Sequence, residues 1–221
     1  MVEQDSLVGI ACLADPIRRA LYEFVCGATR PPTREEAALA VDLPLHKAKF
    51  HLDRLAEDGL LEVSYARDEG KGGPGSGRPA KRYRRAAREL AVSLPERTYA
   101  LAGQLMARAI DESRTTGEPV EPLLTRAARE HGRTLVTPAG GGDPLEHAAA
   151  VLAAHGYEPS ITGDTAVLRN CPFHSLAQAH TDLVCTMNLH LIEGLVESLG
   201  DGVVARLDPH PPYCCVTLGR R

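Results

Sequence analysis

Six cysteines and a band of arginines carry the chemistry legible in this 221-residue chain. Four of the cysteines, Cys171, Cys185, Cys214 and Cys215, fall within the last 51 residues, spaced Cys171-x13-Cys185 and Cys185-x28-Cys214-Cys215. His174 follows Cys171 in Cys171-Pro172-Phe173-His174. Thiolate is a soft ligand that favours iron–sulfur clusters, zinc or copper(I). The spacing is not that of a zinc finger, so the fold would have to bring the ligands together. The competing role is packing, since free Cys is among the most buried residue types. Packing suits Cys12 and Cys26, which sit in apolar helical patterns. It suits Cys171, in a loop before a proline, and Cys214-Cys215, after Pro211-Pro212 at an expected strand start, less well. Adjacent strand residues face opposite sides, so one of Cys214 and Cys215 is expected to point into a shared site.

The second chemistry is cationic. Residues 1–90 hold 15 Lys+Arg against 14 Asp+Glu, whereas residues 91–221 hold 10 against 15. Within the first part, Ala66 to Arg88 carries eight basic residues against Asp68 and Glu69. Such a patch on a nearly neutral domain seeks anions, nucleic acid first among them. Just upstream, the segment from Leu45 reads as a helix of about four turns. At 100° per residue, Leu45, Ala48, Leu52, Leu55 and Ala56 share one face, expected to pack inward. His46, Lys47, Phe50, Asp53, Arg54 and Glu57 share the other. Arg and Lys can pair with guanine edges, and an apolar ring can touch a thymine methyl. Arg78, Lys81, Arg82, Arg84 and Arg85 are spaced to reach phosphates or the minor groove beside that helix.

The surrounding pattern supplies the elements that would hold these groups. Asp15-Pro16 opens a helix, with Asp15 as cap and Pro16 in the first turn, and Gly27 ends it. Thr33 with Glu36 is a capping box for a short helix to about Val41. Asp42-Leu43-Pro44 is a turn, the helix from Leu45 follows to Asp58, and Gly59 closes it. Leu61–Ala66 and Ala80–Arg85 read as strands around residues 70–77, whose five glycines read as a mobile loop. This is the element order of a winged helix-turn-helix. A long helix is expected from Ser93 to about Ser113, with Leu94, Tyr99, Leu101, Leu105, Ala109 and Ile110 as apolar surface for a dimer. Helices follow over about 122–133 and 144–155, separated by a Gly-rich linker at 137–143. Beyond these come short strands, a helix over about 180–199, and strands at Val203–Leu207 and Cys214–Leu218. The expected class is α+β: a winged helix-turn-helix domain (residues 1–90), a linking and dimerising helix (91–120) and a Cys-containing α+β sensor domain (121–221).

Composition narrows the function further. With 43% hydrophobic residues and a net charge of −4 the chain can bury a core. No apolar run approaches the roughly 20 residues of a membrane span, and no basic segment precedes the first one. The reading is therefore a cytoplasmic protein without a signal peptide, in which a disulfide scaffold is not expected. Gly-x-Ser-x-Gly, P-loop and dinucleotide motifs are absent. Cys171 with His174 as nucleophile and base would need contact and a third orienting group, so an enzyme is not expected.

Two resemblances add to this reading. Leu13-Ala14-Asp15-Pro16-Ile17-Arg18-Arg19 resembles the opening helix of ArsR-like winged-helix regulators. His46 to Leu61, with Phe50-His51-Leu52 and Glu57-Asp58-Gly59-Leu60, resembles their recognition helix and the turn into the wing. Gly77-Arg78-Pro79-Ala80-Lys81-Arg82-Tyr83 looks like the wing's return strand. This resemblance implies a homodimeric transcription regulator on a double-stranded DNA operator. The long helix from Ser93, the segment Arg169-Asn170-Cys171-Pro172-Phe173-His174, Cys185 in Val184-Cys185-Thr186-Met187-Asn188 and the final Cys pair resemble SufR-like repressors, which join a winged helix to an iron–sulfur domain. By that resemblance Cys171, Cys185 and one of Cys214 and Cys215 are cluster ligands. The family often has a further cysteine between the second and last, and the region of Leu199-Gly200 has none. His174 is then a candidate fourth ligand, with zinc as the alternative metal. A thiol-redox or small-molecule response is the alternative mode of sensing.

Overall fold

The structure, a computed structural model, describes residues 2–66, 79–136 and 142–221, with side chains from residue 6 onward. Arg78 and the glycine-rich loop 70–77 lie outside the described residues, as does linker segment 137–141. The chain divides into two compact units, Met1–Val92 and Ser93–Arg221.

The N-terminal unit runs α1 (Val2–Cys12), α2 (Pro16–Gly27), α3 (Arg34–Ala40), α4 (Leu45–Glu57), β1 (Leu61–Ala66) and β2 (Ala80–Arg85). Local chemistry sets most of these ends. The Asp15 carboxylate accepts from the Ile17 and Arg18 backbone N–H groups at 2.9 and 3.0 Å. The capping box at Thr33 and Glu36 closes in both directions, at 3.2 and 2.8 Å. Gly59, at φ +73°, ends α4 in the left-handed conformation that suits glycine. β1 and β2 pair antiparallel from Leu61↔Arg85 to Ala66↔Ala80, and a single bridge, Thr33↔Arg82, adds a third rung. Leu21, Val25, Ala48, Leu52, Leu55, Leu61 and Tyr83 form the core. Leu45, expected on the inward face, is instead 46% exposed, because it is the first residue of α4 and has no neighbouring turn to pack beneath. α1 was not delimited from the sequence, although Cys12 was placed in an apolar helical pattern.

The C-terminal unit comprises α5 (Tyr99–Thr116), α6 (Val120–Thr134), α7 (Pro144–Ala153), β3 (Pro159–Thr162), β4 (Thr165–Leu168), α8 (His174–Ala179), α9 (Thr181–Ser198), β5 (Val203–Leu207) and β6 (Val216–Arg220). Its antiparallel sheet has the order β3-β4-β6-β5. The helix expected from Ser93 begins six residues later, at Tyr99. The preceding segment is irregular instead, with a bend at Leu94 and Pro95, and the Thr98 N–H donates to the Pro172 carbonyl at 3.1 Å. The expected dimer surface also changes. Leu105 and Ala109 are buried inside this unit's own core, packed with α6, while Leu94, Tyr99 and Ile110 remain exposed.

α6 and α9 cross at two glycines. A Cβ on Gly132 would lie 1.8 Å from the Leu191 carbonyl oxygen, and one on Gly194 would lie 2.0 Å from that of Arg129. Backbone therefore packs on backbone, with no room for a methyl group. Around this crossing Arg129 reaches Glu193 and Glu197, and Arg133 reaches Glu197 at 2.7 Å. Gly103, in α5, faces open space. We expect Gly132→Ala to destabilise the protein by about 2 kcal/mol or more through overpacking. Gly103→Ala should stabilise it by up to about 1 kcal/mol through helix propensity and reduced unfolded-state freedom. Urea unfolding of the two variants measures both, and a matching sign would disprove the tight crossing.

Candidate DNA-reading face and thiol centre

The exposed face of α4 presents His46, Lys47, Phe50 and Arg54 together, with the Phe50 ring 65% exposed. Lys49, not singled out from the sequence, is exposed as well and joins His46, Phe50 and Arg54 along an open groove of about 1010 Å³ beside α1. The buried Ala48, Leu52 and Leu55 on the opposite side anchor the helix, so its orientation does not depend on the exposed residues. Arg54 Nε donates to Asp58 Oδ2 at 3.0 Å, an i,i+4 pair that orients the guanidinium.

The hairpin's cations are less available than their spacing suggested. Lys81 bonds Asp53 of α4, and Arg84 donates to Glu62 at 2.6 and 2.9 Å. The strand register explains the second pair, since Glu62 stands directly opposite Arg84. Arg82 Nη1 donates to the Pro31 carbonyl at 2.9 Å. Arg85 Nε reaches Cys26 Sγ at 3.2 Å, so Cys26 is only half-buried rather than a core thiol. Cys12 is buried as expected, and burial, with a hydrogen bond to Asp58, pushes its thiol up to about 11.

Asp53 couples α4 to the hairpin. It accepts from Lys81 and, at 3.1 Å, from the Tyr83 hydroxyl, while the Lys81 ammonium lies 5.2 Å from the centre of the Tyr83 ring. Burial raises the Asp53 carboxyl, but the bonds from Lys81 and Tyr83 outweigh it and hold the group below its ordinary 3.8.

In the C-terminal unit Cys185 lies on α9, and Cys214 and Cys215 immediately precede β6. β4 ends at Leu168, whose carbonyl accepts the Cys214 N–H at 2.9 Å, so Cys214 sits beside the strand end from which the chain runs on to Cys171. Cys214 perturbs the ionisation of Cys171, and Cys215 that of Cys185. Cys214 is buried and Cys215 half-buried, and both immediately precede β6. The hydrogen bond from Cys214 outweighs burial and, with the Phe173 N–H and the Arg97 charge, holds Cys171 down to about 7. Cys214, as donor in that bond and deeply buried, is pushed far up. Burial and Cys215 push Cys185 up to about 12.

Three neighbours that the sequence reading missed surround this group. Arg97 bonds the Asn170 side chain and donates to the Cys171 carbonyl at 3.0 Å. Asn188 Nδ2 donates to Cys214 Sγ at 3.3 Å, and the Tyr157 hydroxyl donates to Asn188 Oδ1 at 2.5 Å. Both Asn188 and Tyr157 are buried. Asn188 lies three residues after Cys185 on an otherwise apolar helix face, and that polar interruption was the available signal. His174 starts α8, its N–H donating to the Cys171 carbonyl at 3.0 Å. Among the described residues no hydrogen bond joins its ring to the sulfurs, and no three His, Cys, Asp or Glu side chains stand in a ligating arrangement.

Residues 13–64 match a protein family described as a helix-turn-helix domain. The match spans α2 to β1, the part of the chain that carries the exposed α4 face. Searches of curated proteins and of solved structures find no match to the chain. No helix among the described residues is long and apolar enough to cross a membrane.

The Asp53 geometry generates a stability prediction. A depressed folded value means that its contribution is complete above the ordinary 3.8 and is lost as pH falls through the folded value. Asp53→Asn should lower unfolding stability by about 1 kcal/mol at pH 7, with the gap to wild type closing at a pH well below the ordinary 3.8. Urea titrations at the two pH values would show it, and an equal gap at both would refute the assignment.

Proposed function

We propose that the chain is a DNA-binding transcription regulator, and that its C-terminal thiol centre is the sensor. The observation that carries the first part is the α4 face: an arginine, a lysine, a histidine and an exposed phenylalanine on one side of a helix anchored by its opposite face, within the helix-turn-helix match. In such domains the second helix lies in the major groove. Arg54, Lys47 and His46 would donate to base edges, and Phe50 would meet a thymine methyl. Arg82 and Arg78 would contact the backbone, while Lys81 would hold the hairpin to α4 through Asp53. On this reading two copies bind a two-fold operator with half-sites about one DNA turn apart, and the regulator acts as a repressor. The exposed Leu94, Tyr99 and Ile110 would contribute to the contact between copies.

The second part rests on the soft donor chemistry of Cys171, Cys185, Cys214 and Cys215, all in one compact unit. Four cysteines, on a loop, a helix and a pre-strand segment of one unit, offer soft donors, with Asn188 Nδ2 bonded to Cys214 and the Arg97 charge near Cys171. An iron–sulfur cluster is the leading occupant and zinc the alternative. The four cysteines would hold it, and four thiols leave no requirement for His174. When bound, the group would give the unit a redox- or supply-dependent state. The protein's own part is to position the sulfurs and to exclude water from them. Occupancy would bias the conformations that bind the operator.

Anaerobic purification followed by absorption spectroscopy and iron, sulfide and zinc analysis tests the sensor. A cluster predicts a brown protein with iron and sulfide, lost in Cys185→Ala; about one zinc per chain would support the alternative, and neither metal would refute both. On DNA, Arg54→Ala should reduce discrimination between operator and mutated site by about tenfold or more. Arg82→Ala should weaken both equally and lower the salt slope by about one. Unchanged discrimination in Arg54→Ala would remove direct readout by this residue.

A further inference from the structure

We propose that a cleft between the N-terminal halves of α6 and α9 binds a small organic cation with an apolar body. The inference goes beyond the function proposed above and requires no metal at the cysteines. Arg129 pairs with Glu193 and Arg133 with Glu197, so α6 and α9 run in the same direction. Their backbones touch at Gly132 and Gly194. Thr125 and Met187 each stand seven residues before the glycine of their own helix, about two turns away. There the helices leave a cavity of about 520 Å³ between them. Small-molecule sites occupy roughly 300–1,000 Å³. The floor of the cavity is apolar: Leu124 and Met187 line it and are 3% and 1% exposed. Met187 adapts to an irregular shape, since its side chain is unbranched.

The mouth is anionic. Glu121 and Asp182 line the same cavity, are exposed, and come from the first turns of α6 and α9. A carboxylate in a first turn offsets the helix dipole, and either residue alone would need no further role. Together they place two negative charges over an apolar floor. Among the described residues neither has an ion-pair partner, and the next basic side chains along α6 are held elsewhere: Arg126 by Glu112 at 2.6 Å, and Arg129 by Glu193 and Glu197. An anion would meet like charge. A divalent metal takes about six oxygen ligands or more, and Leu124 and Met187 supply none. An organic ammonium or phosphonium ion suits both ends. Its hydrocarbon body covers Leu124 and Met187, and its charge lies beside Glu121 and Asp182. Leu183, Thr186 and Met187 line the cleft from the helix that also carries Cys185 and Asn188, so the occupant acts on the element that holds those residues.

Calorimetric titration of the full-length protein with methyltriphenylphosphonium tests the site, with triphenylphosphine oxide as a neutral molecule of the same three-phenyl body. The cation should bind saturably, at about one per chain, and the neutral analogue about tenfold more weakly. Glu121→Gln combined with Asp182→Asn should weaken the cation by about tenfold and leave the neutral analogue unchanged. Thr125→Trp should fill the cleft and abolish binding of both. Far-ultraviolet dichroism and urea midpoints check that the variants are folded. Gln and Asn nearly match the shapes they replace, so the double variant stays informative should Thr125→Trp fail to fold. Equal affinity for the two probes, no saturable binding of the cation, or cation binding unchanged in the double variant would each overturn the proposal. These variants retain all six cysteines, and metal analysis reports on the thiol centre separately, so either reading can fail alone.

Discussion

Where α6 crosses α9, Gly132 and Gly194 let one helix backbone touch the other. No side chain larger than hydrogen is compatible with that distance, and protein interiors have little slack with which to absorb one. The crossing fixes the height and rotation of α9, which packs in turn on β5 and β6. Cys185 and Asn188 are carried on that helix, one turn apart, and reach Cys215 and Cys214 only at this setting. The thiol centre is thus a consequence of helix packing some two turns away from it.

The polar groups around the sulfurs set the environment of each one. Asn188 and Tyr157 satisfy one another in a core that would otherwise make an amide and a hydroxyl costly. Asn188 directs its remaining donor capacity at a sulfur. Arg97 adds a positive charge near Cys171, and burial acts against ionisation of Cys185 and Cys214. The four cysteines therefore differ from one another in exposure and polarity, as a packing role alone would not require.

In the N-terminal unit the comparable constraint is electrostatic. Asp53 looked like a charge that tempers the reading face of α4. It is a brace between α4 and β2, and it takes Lys81 with it. Arg84 is likewise held by Glu62 across the hairpin. The cationic surface is narrower than a count of arginines implies, and is concentrated on α4 itself.

The sequence by itself determined the local structure of this protein. Capping at Asp15 and at Thr33 with Glu36, the turn before α4, the closing Gly59 and both hairpin strands are set by interactions within a few residues, and these are visible in a linear pattern. The helix expected at Ser93 failed for the complementary reason. Its opening signal was local, but Thr98 is bonded to Pro172, a partner 74 residues away. The cysteines were legible in the sequence, but their neighbours were not. Asn188, Tyr157 and Arg97 became part of the site only through contacts that close when the sheet, α9 and the segment before α5 pack together. Hydrogen bonds between residues distant in sequence leave no periodicity behind, so tertiary structure alone decided which side chains meet the sulfurs.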